Sequence, residues 1–418
     1  MKEIFSAKDT LANRISYYHL LAFLVVLPFD RFYSELILIS LLMHILIHFP
    51  RGKNLHFHLS LFLPALLFLL TVAGSVFTSD RTQAFMDCEK ELALLLFPFI
   101  FYASSLDFEK YKIRLLKAFG ILCALIILFL FFNAWQVIRY NKLPVMVILS
   151  PSFTNHNFSL PIDLHATYFS MFISLSLAAF LYLLLLSKKT GERILYTAGC
   201  LILLAGLIQL ASRSVFLAML LILNIAIPLF LLQGKTRKKF IFSSACFSAL
   251  LVGLFTATGS FKSRYLTTLK QDLTIAGVPR NLSESRMKRW YSMWTLIRQR
   301  PVTGYGSGTE VALLKKNYYE HQLYNSYLHE LNADNQYISL LLKHGVIGLL
   351  LYVSVLFMGF SYSIRAKDFL FFSFLVIISV VSFSENILDV NKGIFFFSFF
   401  FSYFMKAEVQ ALAKARSR

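Results

Sequence analysis

The chain has 418 residues, of which 57% are hydrophobic and only 15% are charged, and its formal net charge is +19. A soluble domain is about half apolar and about a quarter charged, so one soluble core cannot bury the apolar surface of this chain. We therefore expect it to lie in a lipid bilayer. In a membrane protein, part of the basic excess marks the cytoplasmic loops, and we expect no nucleic-acid partner.

Along the chain, twelve apolar stretches predict membrane-spanning helices, because about 20 apolar residues are needed to cross the hydrocarbon layer. The first and the fourth stretch are short, so the sequence predicts an all-α, polytopic membrane protein of about twelve transmembrane helices. In chain order the stretches lie near residues 16–29, 33–49, 57–77, 91–105, 114–135, 165–186, 194–211, 214–233, 240–258, 338–362, 369–384 and 394–405.

The basic loops between these stretches predict the orientation. If the N-terminus lies inside, six segments rich in Lys and Arg fall on that side, whereas the short outside loops carry scattered charges. We therefore expect both termini in the cytoplasm, and the polar start of the chain indicates no cleavable signal peptide. The six segments are Arg51–Lys53, Lys110–Lys117, Lys188–Arg193, Lys235–Lys239, Arg365–Lys367 and the C-terminal tail from Lys406.

Two outside segments are long, one near 136–164 and one near 259–337. Loops of such length are uncommon unless they are functional. The sequence therefore predicts three parts: transmembrane helices one to nine (1–258), a large outer loop with the catalytic motifs (259–337), and the last three helices with the tail (338–418).

The large loop carries eleven basic and six acidic side chains. This excess of basic residues indicates either a solvated surface or a site for an anionic ligand. The residues alone are consistent with both interpretations. Arginine suits an anion site because its planar guanidinium binds phosphate oxygens in a bidentate way. Within the loop, Met287, Trp290, Trp294 and Ile297 recur at helical spacing and predict an amphipathic helix on the outer membrane face.

Three motifs bring polar groups to this side. Arg213 occupies a tight Ser-Arg-Ser turn between two apolar stretches. It is either a residue at a helix end whose side chain extends to water or a buried cation that faces a cavity. The run Pro301–Gly308 has alternate glycines, which let the backbone approach a ligand and present amides to an anion. The third motif contains Asp334, a candidate general base, with His329 as a second candidate. Each of these two side chains could instead cap a helix or face water.

The four cysteines form no Cys-x-x-Cys or Cys/His cluster, and we interpret them as small buried hydrophobes. The sequence therefore predicts no metal site and no resident cofactor.

Together these motifs, over residues 160–400, resemble the O-antigen ligase and O-antigen polymerase superfamily, bacterial inner-membrane proteins of the GT-C type. The family's Ser-Arg turn is similar to Ser212-Arg213. Its His-Asn-x9-Gly-x-x-Gly pattern resembles Asp334-Asn335 followed by Gly345 and Gly348, except that Asp334 stands where most members have His. Its remaining patterns resemble Arg286 with Trp290, Pro301 with Gly304 and Gly306, Leu164–Tyr168, and Ser384–Asn386 with Gly393.

The resemblance implies a glycosyltransferase that moves a glycan from an undecaprenyl-pyrophosphate carrier to an acceptor hydroxyl, with inversion and without a metal. A ligase would use the lipid A core as acceptor, and a polymerase a second carrier-linked glycan. The large loop would then be periplasmic, on a protein of the bacterial inner membrane.

The resemblance also implies roles for the motif residues. Arg213 and Arg286 would stabilise the pyrophosphate leaving group, with Arg289 in reserve, and Asp334 or His329 would accept the proton. The residues expected to bind substrate are Arg289, Trp290, Gly304, Gly306, His165, Tyr168, Asn335 and Glu385.

Two other classes of function fit the composition less well. A transporter or flippase would show inverted repeats with matching broken spans, whereas a loop of this size on one side breaks such symmetry. A purely structural scaffold would not require clustered Arg and Gly motifs.

Overall fold

The structure, a computed structural model, describes residues 8–49, 58–257 and 284–416. Every regular element in these ranges is helical, and they contain no strand. The predicted basic segment at Arg51 and residues 259–283 of the large loop lie outside the described residues.

The helices are α1 (Leu11–Val26), α2 (Arg31–Ile47), α3 (Leu63–Gly74), α4 (Arg81–Glu91), α5 (Ala93–Ala103), α6 (Phe108–Tyr140), α7 (His156–Ser159), α8 (Ala166–Leu186), α9 (Thr190–Leu210), α10 (Arg213–Leu221), α11 (Ile227–Phe230), α12 (Gly234–Ala257), α13 (Arg286–Gln299), α14 (Glu310–Glu320), α15 (Tyr324–Leu328), α16 (Gln336–Ala366), α17 (Phe369–Val381) and α18 (Asn391–Arg416). Short 3₁₀ turns lie at Leu59–Phe62, Val145–Leu149, Pro151–Phe153, Leu160–Ile162 and Ile387–Asp389, and a π-helical segment at Ile222–Ala226 joins α10 to α11.

Five helices of the described part are long and apolar enough to cross a membrane: α6, α8, α9, the continuous Arg213–Phe230 and α16. Each of the twelve predicted stretches falls on a helix, but some of these helices are short. The 11 residues of α5 cover about 17 Å, roughly half of the hydrocarbon thickness. The all-helical class is confirmed and five helices are candidate membrane spans, whereas the count of twelve spans and the orientation stay predictions.

Aromatic side chains fill the core between the last two helices and the middle of the chain. Phe396 of α18 lies 4.9 Å from Phe172 of α8 and 5.5 Å from Phe374 of α17, between ring centroids. Phe400 packs 5.5 Å from Phe119 of α6. Burial of such rings stabilises helix contacts through dispersion and shape fit. Among the cysteines, Cys123 is buried in this core, whereas Cys246 is exposed, so the interpretation as buried hydrophobes is wrong for Cys246.

An ion cluster links three helices at the end of the bundle opposite the large loop. Lys112 of α6 lies 2.8 Å from Asp368, which caps α17, and 3.5 Å from Glu408 of α18. Both carboxylates are buried. Removing one partner from a buried ion pair strongly destabilises the fold, so the cluster stabilises the packing of α6, α17 and α18.

The described part of the large loop forms a second, smaller core on the start of α16. Met293, Leu296 and Ile297 of α13 pack with Leu314 of α14 and Leu342 of α16. The predicted helix at 285–299 is therefore present, but its predicted apolar face is wrong in part. Trp294 is 46% exposed, while Met293 and Leu296 occupy the buried face.

Candidate functional site

Asp334 lies in a short turn, Asn332–Asn335, that leads into α16, and two arginines of α13 face its side chain. Arg289 Nη2 donates to Asp334 Oδ2 at 2.8 Å, and Arg286 Nε lies 3.8 Å from the same oxygen. The spacing of three residues places both arginines on one face of α13. The Arg289 side chain is only 4% exposed, whereas those of Arg286 and Asp334 are 27% and 25% exposed. Arg286 and Asp334 therefore remain accessible to a ligand.

The backbone of this turn is held on several sides. Arg289 Nη1 donates to the Asn332 carbonyl at 3.0 Å, and Trp290 Nε1 donates to the Ala333 carbonyl at 2.8 Å. Asp334 has a left-handed φ of 47°, a conformation that costs energy for most L-residues. The contacts of Arg289 and Trp290 fix the turn in that conformation and so aim the Asp334 carboxylate.

The turn after α17 and the start of α8 form the opposite wall of the site. Arg286 Nη1 donates to the Ser384 carbonyl at 3.3 Å, which joins α13 to this wall. Glu385 Oε1 accepts from Thr167 Oγ1 at 3.0 Å, and Tyr168 OH donates to the Asn386 carbonyl at 3.3 Å. The predicted site residues Arg286, Asp334 and Glu385 therefore belong to one cluster.

Burial and neighbouring charges shift the pKa values of the titratable groups in this wall. Burial raises the pKa of Glu385 to about 7, and the negative charge of Asp334 adds to that rise. Burial lowers the pKa of His165 to about 4, helped by the neighbouring His156. His165 is therefore neutral near pH 7, and its Nδ1 accepts from the Thr167 amide at the start of α8. Glu385 is poised to exchange a proton near neutral pH.

A buried polar network supports the Asn332–Asn335 turn from below. Glu310 Oε1 accepts from the Ala333 amide and from Asn386 Nδ2, both at 3.1 Å. Asn386 Oδ1 accepts from the Asn335 amide at 2.8 Å, and the Asn335 side chain caps α16. Lys343 of α16 pairs with Asp389 and lies 3.9 Å from Glu310. This network connects α14, α16 and the turn after α17, so it sets the distance between the two walls.

The glycines of the Pro301–Gly308 run were predicted to present amides to an anion, but in the structure this run contacts α16. The amides of Tyr305 and Gly306 donate at 2.9 Å to carbonyls of α16, those of Leu342 and Lys343. A Cβ on Gly304 would lie 2.6 Å from the backbone of Lys343, so only glycine permits this approach. These amides are thus occupied by α16, and the run docks the loop rather than facing a ligand.

A break in α16 receives the docked loop. Gly345 has φ 62° and ψ −157° inside the helix, a conformation that essentially only glycine adopts. The Val346 amide donates to the Pro301 carbonyl at 2.8 Å instead of to the preceding helical turn. The Gly-x-x-Gly part of the motif therefore joins the large loop to a candidate membrane-spanning helix.

Two predicted residues lie away from the centre of this cluster. His329 is exposed at the end of α15, where its amide donates to the Asn325 carbonyl. Arg213 is half-buried at the first position of α10, directly after the left-handed turn at Ala211. Chain direction places that turn at the same end of the bundle as Asp334. The structure therefore favours Asp334 over His329 as a site residue, since Asp334 contacts the arginines.

The sequence motifs do not include Glu310, Lys343 and Asp389, and they include Asn386 without a role of its own. Lys343 could have been found from the sequence. A charged residue within an apolar helix has a high free-energy cost, so it is usually paired with another charged group. Within the described residues, no group of three His, Cys, Asp or Glu side chains is placed to hold a metal ion. The positive charge of the site is supplied by arginine.

Comparison with known proteins finds a similarity over part of the chain. No curated protein matches the chain. The family model described as O-antigen ligase matches residues 198–353, a range that contains Arg213, Arg286 and Asp334. It ends before Glu385 and begins after His165. Residues 198–353 of this chain are therefore similar to the O-antigen ligase family.

Proposed function

We propose that this protein is a glycosyltransferase that moves a glycan from an undecaprenyl-pyrophosphate carrier to a hydroxyl of the lipid A core, as an O-antigen ligase. The observation that supports this proposal is the accessible Arg286, fixed between Asp334 and the Ser384 carbonyl at the mouth of an apolar bundle. This arrangement offers a cation to a lipid-linked phosphate and a carboxylate to an acceptor hydroxyl. The protein would act in the bacterial inner membrane, with the large loop in the periplasm.

The proposed reaction places growing negative charge on the pyrophosphate as the glycosidic bond breaks. Fixed cations aimed at such charge stabilise the transition state, and the loss of one such contact lowers the rate about 10²–10³-fold. Arg286 supplies one cation from the large loop, and Arg213 supplies a second from the start of α10. Arginine meets this need without a metal ion, because it retains its charge at every physiological pH.

Arg289 and Trp290 have supporting roles in this proposal. Arg289 is buried and already donates to Asp334 and Asn332, so it positions the turn rather than binding the donor. Asn335 caps α16, and His165 and Tyr168 form the wall of the site beside Glu385. The acceptor oxygen would attack the anomeric carbon from the side opposite the pyrophosphate, which gives inversion.

Surface lipopolysaccharide tests the function and separates the two members of the superfamily. A strain without the gene should lack all O-chain on the core while carrier-linked polymer is still made. A single repeat unit on the core would instead show a polymerase, which uses a second carrier-linked glycan as acceptor. Unchanged lipopolysaccharide and unchanged carrier-linked glycan would contradict both, and would favour a transport function.

Arginine variants test the pyrophosphate clamp in the same strain. Arg213→Ala and Arg286→Ala should each lower glycan transfer about 10²–10³-fold at normal expression. Arg298→Ala is the matched control, because Arg298 is exposed in the last turn of the same helix α13. Normal transfer by both variants would refute the clamp.

A further inference from the structure

Two carboxylates lie beside Arg286, and their surroundings differ. Asp334 accepts from Arg289 at 2.8 Å, and Arg289 is buried with this one carboxylate as its ion-pair partner among the described residues. The loss of one partner from a buried ion pair is strongly unfavourable. The Asp334 carboxylate is therefore already engaged with Arg289 and faces Arg286.

Glu385 is not held in this way. Its Oε1 accepts from Thr167 Oγ1 at 3.0 Å, and within the described residues it forms no ion pair and its Oε2 accepts no hydrogen bond. Its two neighbours in the chain are fixed, since the Ser384 carbonyl accepts from Arg286 and the Asn386 side chain belongs to the buried network. Glu385 is thus a positioned carboxylate with one oxygen available to a ligand.

We propose that Glu385, rather than Asp334, accepts the proton of the acceptor hydroxyl, and that Asp334 is a positioning residue for Arg289 and Arg286. This inference rests on the proposed function. As the acceptor oxygen bonds to the anomeric carbon, its proton passes to Glu385 Oε2. The bond from that carbon to the pyrophosphate oxygen breaks, and the electron pair leaves on the pyrophosphate beside Arg286. Glu385 then returns its proton to water, so no further reactant is needed.

The charges around Glu385 suit this role. The titratable groups that face it are Asp334 before α16, Arg286 of α13 and Tyr168 of α8. Burial, followed by the charge of Asp334, raises the pKa of Glu385 to about 7. A base must be unprotonated to act, so transfer should fall as the pH drops below about 7. A base is most efficient when its pKa is near the working pH.

The test uses the purified full chain in lipid nanodiscs with undecaprenyl-pyrophosphate-linked glycan and lipid A core. Single-turnover transfer is followed from pH 5 to pH 9, and donor binding is measured separately. Glu385→Gln keeps the acceptor for Thr167 but cannot take up a proton. It should lower transfer about 10²–10⁴-fold, abolish the pH dependence near 7 and leave donor binding within about threefold. Formate should restore part of the activity of Glu385→Ala.

Asp334→Asn and Glu320→Gln are the comparison variants. Asp334→Asn should weaken donor binding because it disturbs the arginines. It should retain the pH dependence with a midpoint below 7, because the charge of Asp334 no longer raises the pKa of Glu385. Glu320 is an exposed glutamate at the end of α14, and Glu320→Gln should behave as wild type.

The outcomes separate this inference from the proposed function. If Glu385→Gln transfers glycan within tenfold of wild type, or if Asp334→Asn alone loses the pH dependence, Glu385 is not the base. Failure of formate to restore Glu385→Ala, in a variant that still binds donor, would also overturn the assignment. If the wild-type chain itself transfers no glycan, the proposed function fails first.

Discussion

The Glu310 carboxyl supports the Asn332–Asn335 turn, and its removal should disturb both stability and transfer. In Glu310→Leu, the Ala333 amide and one N–H of Asn386 lose their acceptor, Oε1, which lies 3.1 Å from each nitrogen. Ala333 and Asn386 are buried, so water cannot replace it. At about 1–3 kcal/mol for each unsatisfied buried donor, the variant should lose about 2–6 kcal/mol.

Glu310→Gln is the matched variant that isolates these hydrogen bonds. Glutamine retains the carbonyl oxygen for both donors and nearly the same volume. It loses the charge that faces Lys343 at 3.9 Å, and its NH2 group replaces the oxygen that accepts from Ser339 Oγ, a hydroxyl that can itself accept a hydrogen bond. Burial, together with the charge of Asp389, raises the pKa of Glu310. Burial therefore disfavours the charge that glutamine removes. We expect a cost of about 1 kcal/mol or less.

Thermal unfolding in detergent, followed by tryptophan fluorescence, compares the two variants. Trp290 donates to the Ala333 carbonyl, so its emission also reports on the turn. Glu310→Leu should unfold at a clearly lower temperature and transfer glycan more slowly, while Glu310→Gln stays near wild type. Equal unfolding temperatures for the two variants would refute the idea that Glu310 acts by holding the turn.

Two further substitutions test how the loop and the helices are joined. Gly345→Ala should destabilise the protein by at least about 1–3 kcal/mol from backbone strain alone. In addition, its Cβ would lie 2.2 Å from a carbonyl oxygen of the docked loop. Gly191→Ala is the control, because its Cβ meets open space and the change should be neutral or stabilising. Lys112→Met leaves two buried carboxylates without their cation and should cost about 3–5 kcal/mol, whereas Lys316→Met breaks an exposed pair worth about 0.5 kcal/mol or less. The unfolding temperature in detergent measures all four, and equal shifts within either pair would contradict the assignment.

The sequence predicted the parts of the fold that depend on local pattern. Apolar length located the helices, and the resemblance identified Arg286 and Asp334, which the structure brings to 3.8 Å between Nε and Oδ2. Helical spacing also predicted α13, but it placed Trp294 on the buried face. That error arises because the partner of α13 is the protein itself. Packing against α14 and α16 selects Met293 and Leu296 instead.

The support beneath the site could not be predicted, because its members are far apart in the chain. Glu310 meets Ala333 after 23 residues and Asn386 after 76, and no periodicity connects such positions. The pairing of Arg289 with Asp334 was missed for a related reason. The resemblance predicts that Asp334 replaces a histidine base, whereas the structure shows a carboxylate engaged with the buried Arg289.

The bond between Thr167 and Glu385 joins positions 218 residues apart, and this has a consequence for biogenesis. Helices enter a membrane in the order of synthesis, so a nascent chain displays Arg213, Arg286 and Asp334 before the turn after α17 exists. The wall that carries Glu385 and Asn386 arrives only with the final insertion event. An incompletely inserted chain therefore holds the arginines without the facing carboxylate, and under the proposed function it would transfer no glycan until the last helix is in place.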